Sequence, residues 1–259
     1  CMCLHGAGGC LPESRPPEQE LAGDAYAIGV EEDGIALSGA SPKGVLNSVY
    51  DLAEWVGFSF LLPGLDGEWV PEKPRPLPVG RSVKVPRFPF RGVFSQRLDV
   101  RDYTVEEWFM FYAKLRFNAV THQMEDRALC EKTGLRLEVG GHGLSELMPR
   151  DLFGEHPEYF RMFQPEDFNG KRMNDANLCV SNQTGRDVVK KNFAERLVEF
   201  EGVHAIHAWA DDLPAGGWCL CPSCRAFSPT DQAMLAMRTL GETVKEQGSP
   251  IRIPLIAYH

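Results

Sequence analysis

A chain of 259 residues with 43% hydrophobic and 24% charged side chains carries enough apolar material for one large domain or two modest ones. Its net charge of −9, with no Lys/Arg cluster, argues against nucleic acid as a partner, because phosphate contacts need concentrated positive charge. No apolar run approaches the length that spans a bilayer, and no secretory leader is legible after the opening Cys1.

The first 23 residues are rich in Gly, Pro and Glu without periodicity and read as loop. Ala25–Val30 reads as a strand and Ile35–Gly39 as its returning partner, with Asp33-Gly34 suited to a positive-φ turn between them. Ser41 then caps a helix with Pro42 at its first position, and Val45, Val49, Leu52, Ala53 and Val56 fall at helical spacing. Phe58–Leu62 reads as a further strand. Prolines recur from Pro71 to Pro89 and predict an extended linker, since proline fixes φ and withholds a donor. The expected organisation is therefore a small α+β accessory domain over residues 1–75 and a second domain over residues 86–259.

Beyond the linker, strands and helices alternate. Phe90–Ser95, Asn118–His122, Leu135–Val139, His204–Ala210 and Ile251–Tyr258 are the strand candidates. Thr104–Leu115, Glu125–Lys132, Thr184–Phe200 and Asp231–Glu246 are the helices. This alternation predicts parallel strands joined by right-handed crossovers. The expected fold class is α/β, a partial (β/α)₈ barrel of about five strands; an open, flavodoxin-like sheet is the alternative.

Several blocks resemble known families. Asp24-Ala25-Tyr26-Ala27-Ile28, Gly44–Leu52, Pro63-Gly64 and Gly67–Pro71 are similar to the accessory domain preceding the barrel in β-hexosaminidases and α-glucuronidases. Gly141-His142-Gly143, Leu147-Met148-Pro149, His156-Pro157-Glu158-Tyr159-Phe160, Gly170-Lys171-Arg172, Leu178–Asn182 and the Cys219–Cys224 block resemble domain-of-unknown-function family 4838. Part of that family is classed as glycoside hydrolase family 163, acting as an endo-β-N-acetylglucosaminidase on N-glycans. The resemblance implies a carbohydrate substrate, an extracellular or periplasmic location, and a longer chain that supplies the remaining barrel strands as this segment's partner.

Barrel active sites lie at the C-terminal ends of the strands. Asp211 and Asp212 follow the fourth strand candidate, and His142 and His122 follow the third and second. Glycoside hydrolysis needs a carboxylic acid for the leaving oxygen and a nucleophile, which can be the substrate's own 2-acetamido group. In the substrate-assisted hexosaminidases an adjacent acidic pair ends the fourth strand, which the resemblance carries to Asp212 as acid and Asp211 as the residue orienting the acetamide. An Asp-Asp pair at a turn or helix cap is the structural alternative. The same resemblance makes His142 and Arg97 expected sugar contacts, Arg97 through its planar donors; position adds His122 after the second strand and Trp218 beside the acids, where the indole can stack on a sugar face or pack as core. Trp209 also brackets the acids.

No cofactor is expected. Cys219, Cys221 and Cys224 form C-x-C-x-x-C, a weak zinc candidate with a fourth ligand drawn from His142, His207 or water; a disulfide or three packed thiols are the alternatives. The expected activity is hydrolysis of 2-acetamido sugar glycosides by a substrate-assisted, retaining route, extending to endo action on N-glycans. An α-glucuronidase-like hydrolase and a glycan-binding barrel without turnover are the alternatives.

Overall fold

The computed structural model describes residues 23–95, 102–163, 171–175 and 177–256. The chain divides into two compact units, Cys1–Leu137 and Glu138–His259.

The first unit opens on an antiparallel hairpin, β1 (Tyr26–Glu31) with β2 (Gly34–Gly39). Glu31 pairs with Gly34, so the loop is Glu32-Asp33, and neither residue has positive φ. The expected Asp33-Gly34 turn of that kind is thus corrected: Gly34 is already in register as a strand residue. Helix α1 (Pro42–Trp55) follows. Ser41 caps it as the sequence predicts, its Oγ accepting from the Gly44 amide at 3.1 Å. The helix lays Val49, Leu52 and Trp55 against Tyr26, Ile28, Val30 and Leu37 of the sheet. β3 (Ser59–Phe60) pairs with a short strand, β4 (Glu68–Trp69).

The proline-rich stretch contains a strand as well. β5 (Gly80–Lys84) occupies the proline-free window between Pro78 and Pro86 and pairs antiparallel to β1, completing a three-stranded sheet in the order β2-β1-β5. Proline forbids ladder donation only where it stands, so five consecutive residues with free amides can still pair.

Next comes β6 (Gly92–Phe94), parallel to β7 (Ala119–Thr121), joined through α2 (Val105–Lys114). A capping box starts α2: the Glu107 amide donates to Thr104 Oγ1 at 3.2 Å while the Thr104 amide donates to Glu107 Oε2 at 2.7 Å. A turn of 3₁₀ helix leads into α3 (Arg127–Thr133), which ends on Gly134 in the left-handed region. The Arg136 amide then bonds the Asn118 carbonyl at 3.0 Å, bringing the next strand, β8 (Arg136–Gly141), beside β7. Ion pairs also tie the hairpin and α1 to the α/β segment of this unit. Arg91 reaches Asp24 at 2.8 Å, and Arg116 reaches Glu54 at 2.7 Å.

Strand β8 pairs parallel with β9 (Ala205–Ala208) in the second unit. Every residue of β9 is buried, as expected of a parallel strand covered on both faces. Between them lies the segment 142–182, whose described residues include three 3₁₀ turns, and then α4 (Gln183–Glu199), capped by Asn182. After β9 a loop leads to α5 (Pro229–Glu246), again opened by a capping box, Ser228 with Asp231. Among its described residues, 251–256, the fifth strand candidate shows one parallel bridge, Ala205 to Arg252, with the Ile206 amide donating to the Arg252 carbonyl at 2.9 Å; Ala257 and Tyr258 lie outside the described residues. The core of this unit is built from fully buried Leu144, Met148, Phe160, Leu178, Phe193 and Leu240. The architecture is a partial (β/α)₈ barrel preceded by an α+β element, the expected fold class. Among the described residues no helix is long and apolar enough to cross a membrane.

Candidate active site

The second unit gathers its polar side chains where β8 and β9 end. The register pairs Gly141 with Ala208, so both strands stop at one level. The Trp209 amide closes the ladder onto the Gly141 carbonyl at 2.7 Å, and the Leu144 amide returns to the Trp209 carbonyl at 3.0 Å. Close approach here depends on Gly140. Its φ is +96°, and a Cβ on it would lie 2.1 Å from the His207 carbonyl oxygen. Only glycine lets β9 come this near.

With β9 finished at Ala208, the chain is free of strand alternation when it reaches the acids. Asp211 is half-buried and held on three sides. Ser145 Oγ donates to its Oδ1 at 2.7 Å, and Arg150 Nη2 stands 3.9 Å from Oδ2. The Asp211 amide donates to Asn177 Oδ1 at 3.2 Å. Asn177 is fully buried, and its Nδ2 donates to the Gly216 carbonyl, so one side chain braces both arms of the loop after β9. Asp212 is exposed.

Asp211 lines a concavity together with His142, Trp209 and Trp218, against Ala233 and Met237 of α5. His142 sits in the turn after β8, its Nδ1 paired with the Ala210 carbonyl at 2.5 Å and its ring edge-on to Trp209 at 5.6 Å. Trp218 is buried to 6% exposure and offers the cavity only part of its indole. It folds back over Gly216, whose φ is +69° and where a Cβ would meet the indole Nε1 at 2.6 Å. The site therefore offers an anchored carboxylate, an exposed carboxylate next to it, an imidazole and two indoles, a set that can hydrogen-bond and stack on a sugar.

Four of the six sequence candidates, Asp211, Asp212, His142 and Trp218, thus stand on the two loops that follow β8 and β9. His122 belongs to the first unit, where its Nδ1 pairs with Asp126 and its ring meets Phe109 edge-on at 5.3 Å. Arg97 lies outside the described residues. Ser145, Arg150 and Asn177 were missed. Each sits far from the acids in sequence, and only the blocks around Leu147-Met148-Pro149 and Leu178–Asn182 hinted at their neighbourhood.

The cysteine block also departs from expectation. The fourth group beside Cys219, Cys221 and Cys224 is neither His142 nor His207 but Cys179. His142 is engaged with Ala210, and His207 is buried with its Nε2 2.9 Å from Glu138 Oε2. Cys179 stands two residues after Asn177, in the segment preceding α4.

The family model described as "Domain of unknown function (DUF4838)" matches residues 63–240. Among proteins of curated function, none matches the chain. Solved structures do. A β-N-acetylhexosaminidase from Bacteroides fragilis NCTC 9343 is 16% identical with a TM-score of 0.53 over 90% of this chain and 53% of its own. A Flavobacterium johnsoniae chitobiase is 15% identical with a TM-score of 0.52 over 89% of this chain and 39% of its own. A GH20 exo-β-N-acetylglucosaminidase from Vibrio harveyi is 15% identical with a TM-score of 0.51 over 90% of this chain and 44% of its own. At these identities the likeness is one of fold, and the chain spans about half the length of the structures it matches or less.

Proposed function

We propose that this chain, which belongs to the DUF4838 family, carries the acid pair of a glycoside hydrolase acting on glycosides of 2-acetamido sugars. The observation that carries the reading is the position and setting of Asp211-Asp212. The pair leaves the C-terminal end of a parallel strand, in a fold shared with β-N-acetylhexosaminidases, and Asp211 faces a concavity walled by His142, Trp209 and Trp218.

The two acids have settings suited to different work. A residue that orients an acetamide must be fixed; Ser145 donates to the Asp211 carboxylate and Arg150 stands beside it, holding it in place. With its acetamide oriented, the substrate's own carbonyl oxygen attacks the anomeric carbon, and water later opens the resulting ring with retention. A general acid must reach the leaving oxygen, and Asp212 is the exposed member of the pair. His142, beside Trp209, and the exposed part of Trp218 contribute contacts to the sugar. Endo action on N-glycans is the finer reading and rests on the family resemblance.

The test is Asp212→Asn in the full-length protein, a change that keeps shape and removes the proton. Turnover of a natural 2-acetamido glycan should fall by roughly 10²–10⁴-fold, the usual worth of general acid catalysis. An aryl glycoside whose leaving group needs no protonation should lose less in the cleavage step. A folded Asp212→Asn protein with unchanged turnover of the natural glycan would refute the role, and wild-type turnover of a uronide but no 2-acetamido glycoside would refute the substrate class.

A further inference from the structure

The four cysteines at the base of the two loops make a second centre. Cys179, Cys219, Cys221 and Cys224 are all buried to 3% exposure or less. Their four Sγ atoms lie within 4.8 Å of one another. Cys179 Sγ is 3.7 Å from that of Cys221 and 3.6 Å from that of Cys224. A disulfide would select one partner at about 2.05 Å and turn away from the others. Here Cys179 stands nearly equidistant from two sulfurs. Four thiolates bound at about 2.3 Å to a tetrahedral ion lie roughly 3.8 Å apart along each edge, close to the two distances from Cys179.

The surroundings supply donors aimed at sulfur. The Met162 amide donates to Cys219 Sγ at 3.3 Å, and Arg172 Nη1 approaches the same sulfur at 3.6 Å. Ser181 Oγ lies 2.9 Å from Cys224 Sγ. Amide, guanidinium and hydroxyl groups around thiolates are the outer shell that steadies a metal–sulfur centre and offsets its negative charge. The backbone prepares the site as well: the Cys224 and Arg225 amides both donate to the Cys221 carbonyl at 2.9 Å, winding Cys221-Pro222-Ser223-Cys224 into a tight turn that points two sulfurs the same way.

We propose that Cys179, Cys219, Cys221 and Cys224 form a structural zinc site that clips the loop after β8 to the loop after β9. An all-sulfur, tetrahedral, buried set suits zinc and leaves no open position for catalysis. Loading converts four thiols to thiolates on one Zn²⁺ and releases their protons to solvent, with no change of oxidation state. The clip stands beside the candidate active site. Cys179 is two residues from Asn177, which braces Asp211 and Gly216, and Cys219 directly follows Trp218. The ion therefore holds the spacing between the anchored acid and the indole wall.

Metal analysis of the full-length protein, purified without chelator, decides the matter before any activity is measured. The expected result is one zinc per chain at this cluster, absent in Cys179→Ser and retained in Cys130→Ser, a buried cysteine outside the cluster. Cobalt(II) added to chelator-stripped protein should give the sulfur-to-metal charge-transfer band and strong visible bands of a tetrahedral thiolate centre. Should Cys179→Ser fail to fold, the zinc content and cobalt spectrum of the wild type stand by themselves. The proposal falls if the wild type binds neither metal, if native mass spectrometry finds a disulfide among the four, if Cys179→Ser keeps its zinc, or if iron occupies the site in zinc's place.

Discussion

Gly140→Ala tests the fold and the site together. Gly140 holds φ at +96°, a region that costs a non-glycine residue on the order of 1–3 kcal/mol. The added Cβ would also stand 2.1 Å from the His207 carbonyl, against roughly 3.4 Å for an ordinary contact, and the obstacle is backbone of the neighbouring strand. β8 and β9 must part by about 1 Å, which weakens the adjoining ladder bonds, each worth about 0.5–1.5 kcal/mol net. The expected loss is about 3 kcal/mol or more, on the order of 10 °C in melting temperature. Because the separation falls where β9 delivers Trp209, Asp211 and Asp212, turnover should fall further than the change in folded fraction explains. The control is Gly154→Ala: that glycine has no positive φ, and a Cβ there meets nothing within 4 Å. It should be neutral or stabilise by about 0.4–1 kcal/mol. Thermal and denaturant melts with parallel turnover measurements make the comparison. Equal stability of the two variants would refute the strand packing on which the site rests.

Asn177→Ala removes the brace from a fully buried position and leaves the Asp211 amide and the Gly216 carbonyl without their partner. The expected cost is roughly 2–6 kcal/mol, about 1–3 for each abandoned group, with weaker substrate binding as Asp211 shifts; denaturant melts and KM would show it. Burial pushes the Lys43 ammonium down to about 8 from 10.5, although its Nζ donates to the Thr133 carbonyl at 3.3 Å. The unfolded chain therefore binds the extra proton between those values, so stability should rise with pH across about 8 to 10.5. Lys43→Met should abolish that rise and gain roughly 1–3 kcal/mol at neutral pH. Identical pH slopes for wild type and variant in denaturant melts would contradict the assignment.

Local signals in the sequence were strong enough to define most elements. Ser41-Pro42 sets the start of α1 where the sequence placed it, α2 starts one residue after the expected Thr104, and α5 starts at Pro229, two residues before the expected Asp231, because Ser228 is its cap. Alternation of strand and helix specified parallel strands, because a crossover on one face leaves few other topologies. The place of Asp211-Asp212 just past a strand was also legible, since a buried apolar strand announces where its C-terminal end must be. What depended on contacts distant in sequence was not. β5 pairs with β1 across some fifty residues, and composition marked only the prolines on either side of it. Ser145 and Arg150 meet Asp211, and Asn177 supports it, by virtue of two loops converging past parallel strands, and nothing in their own neighbourhoods requires it. Cys179 makes the point most clearly. In the sequence it stands alone within the Leu178–Asn182 block, and the fourth ligand beside the three clustered cysteines was expected from His142, His207 or water. Only tertiary structure brought Cys179 into the cluster, because the sheet places the ends of β8 and β9 side by side and so lets residues forty apart share one centre.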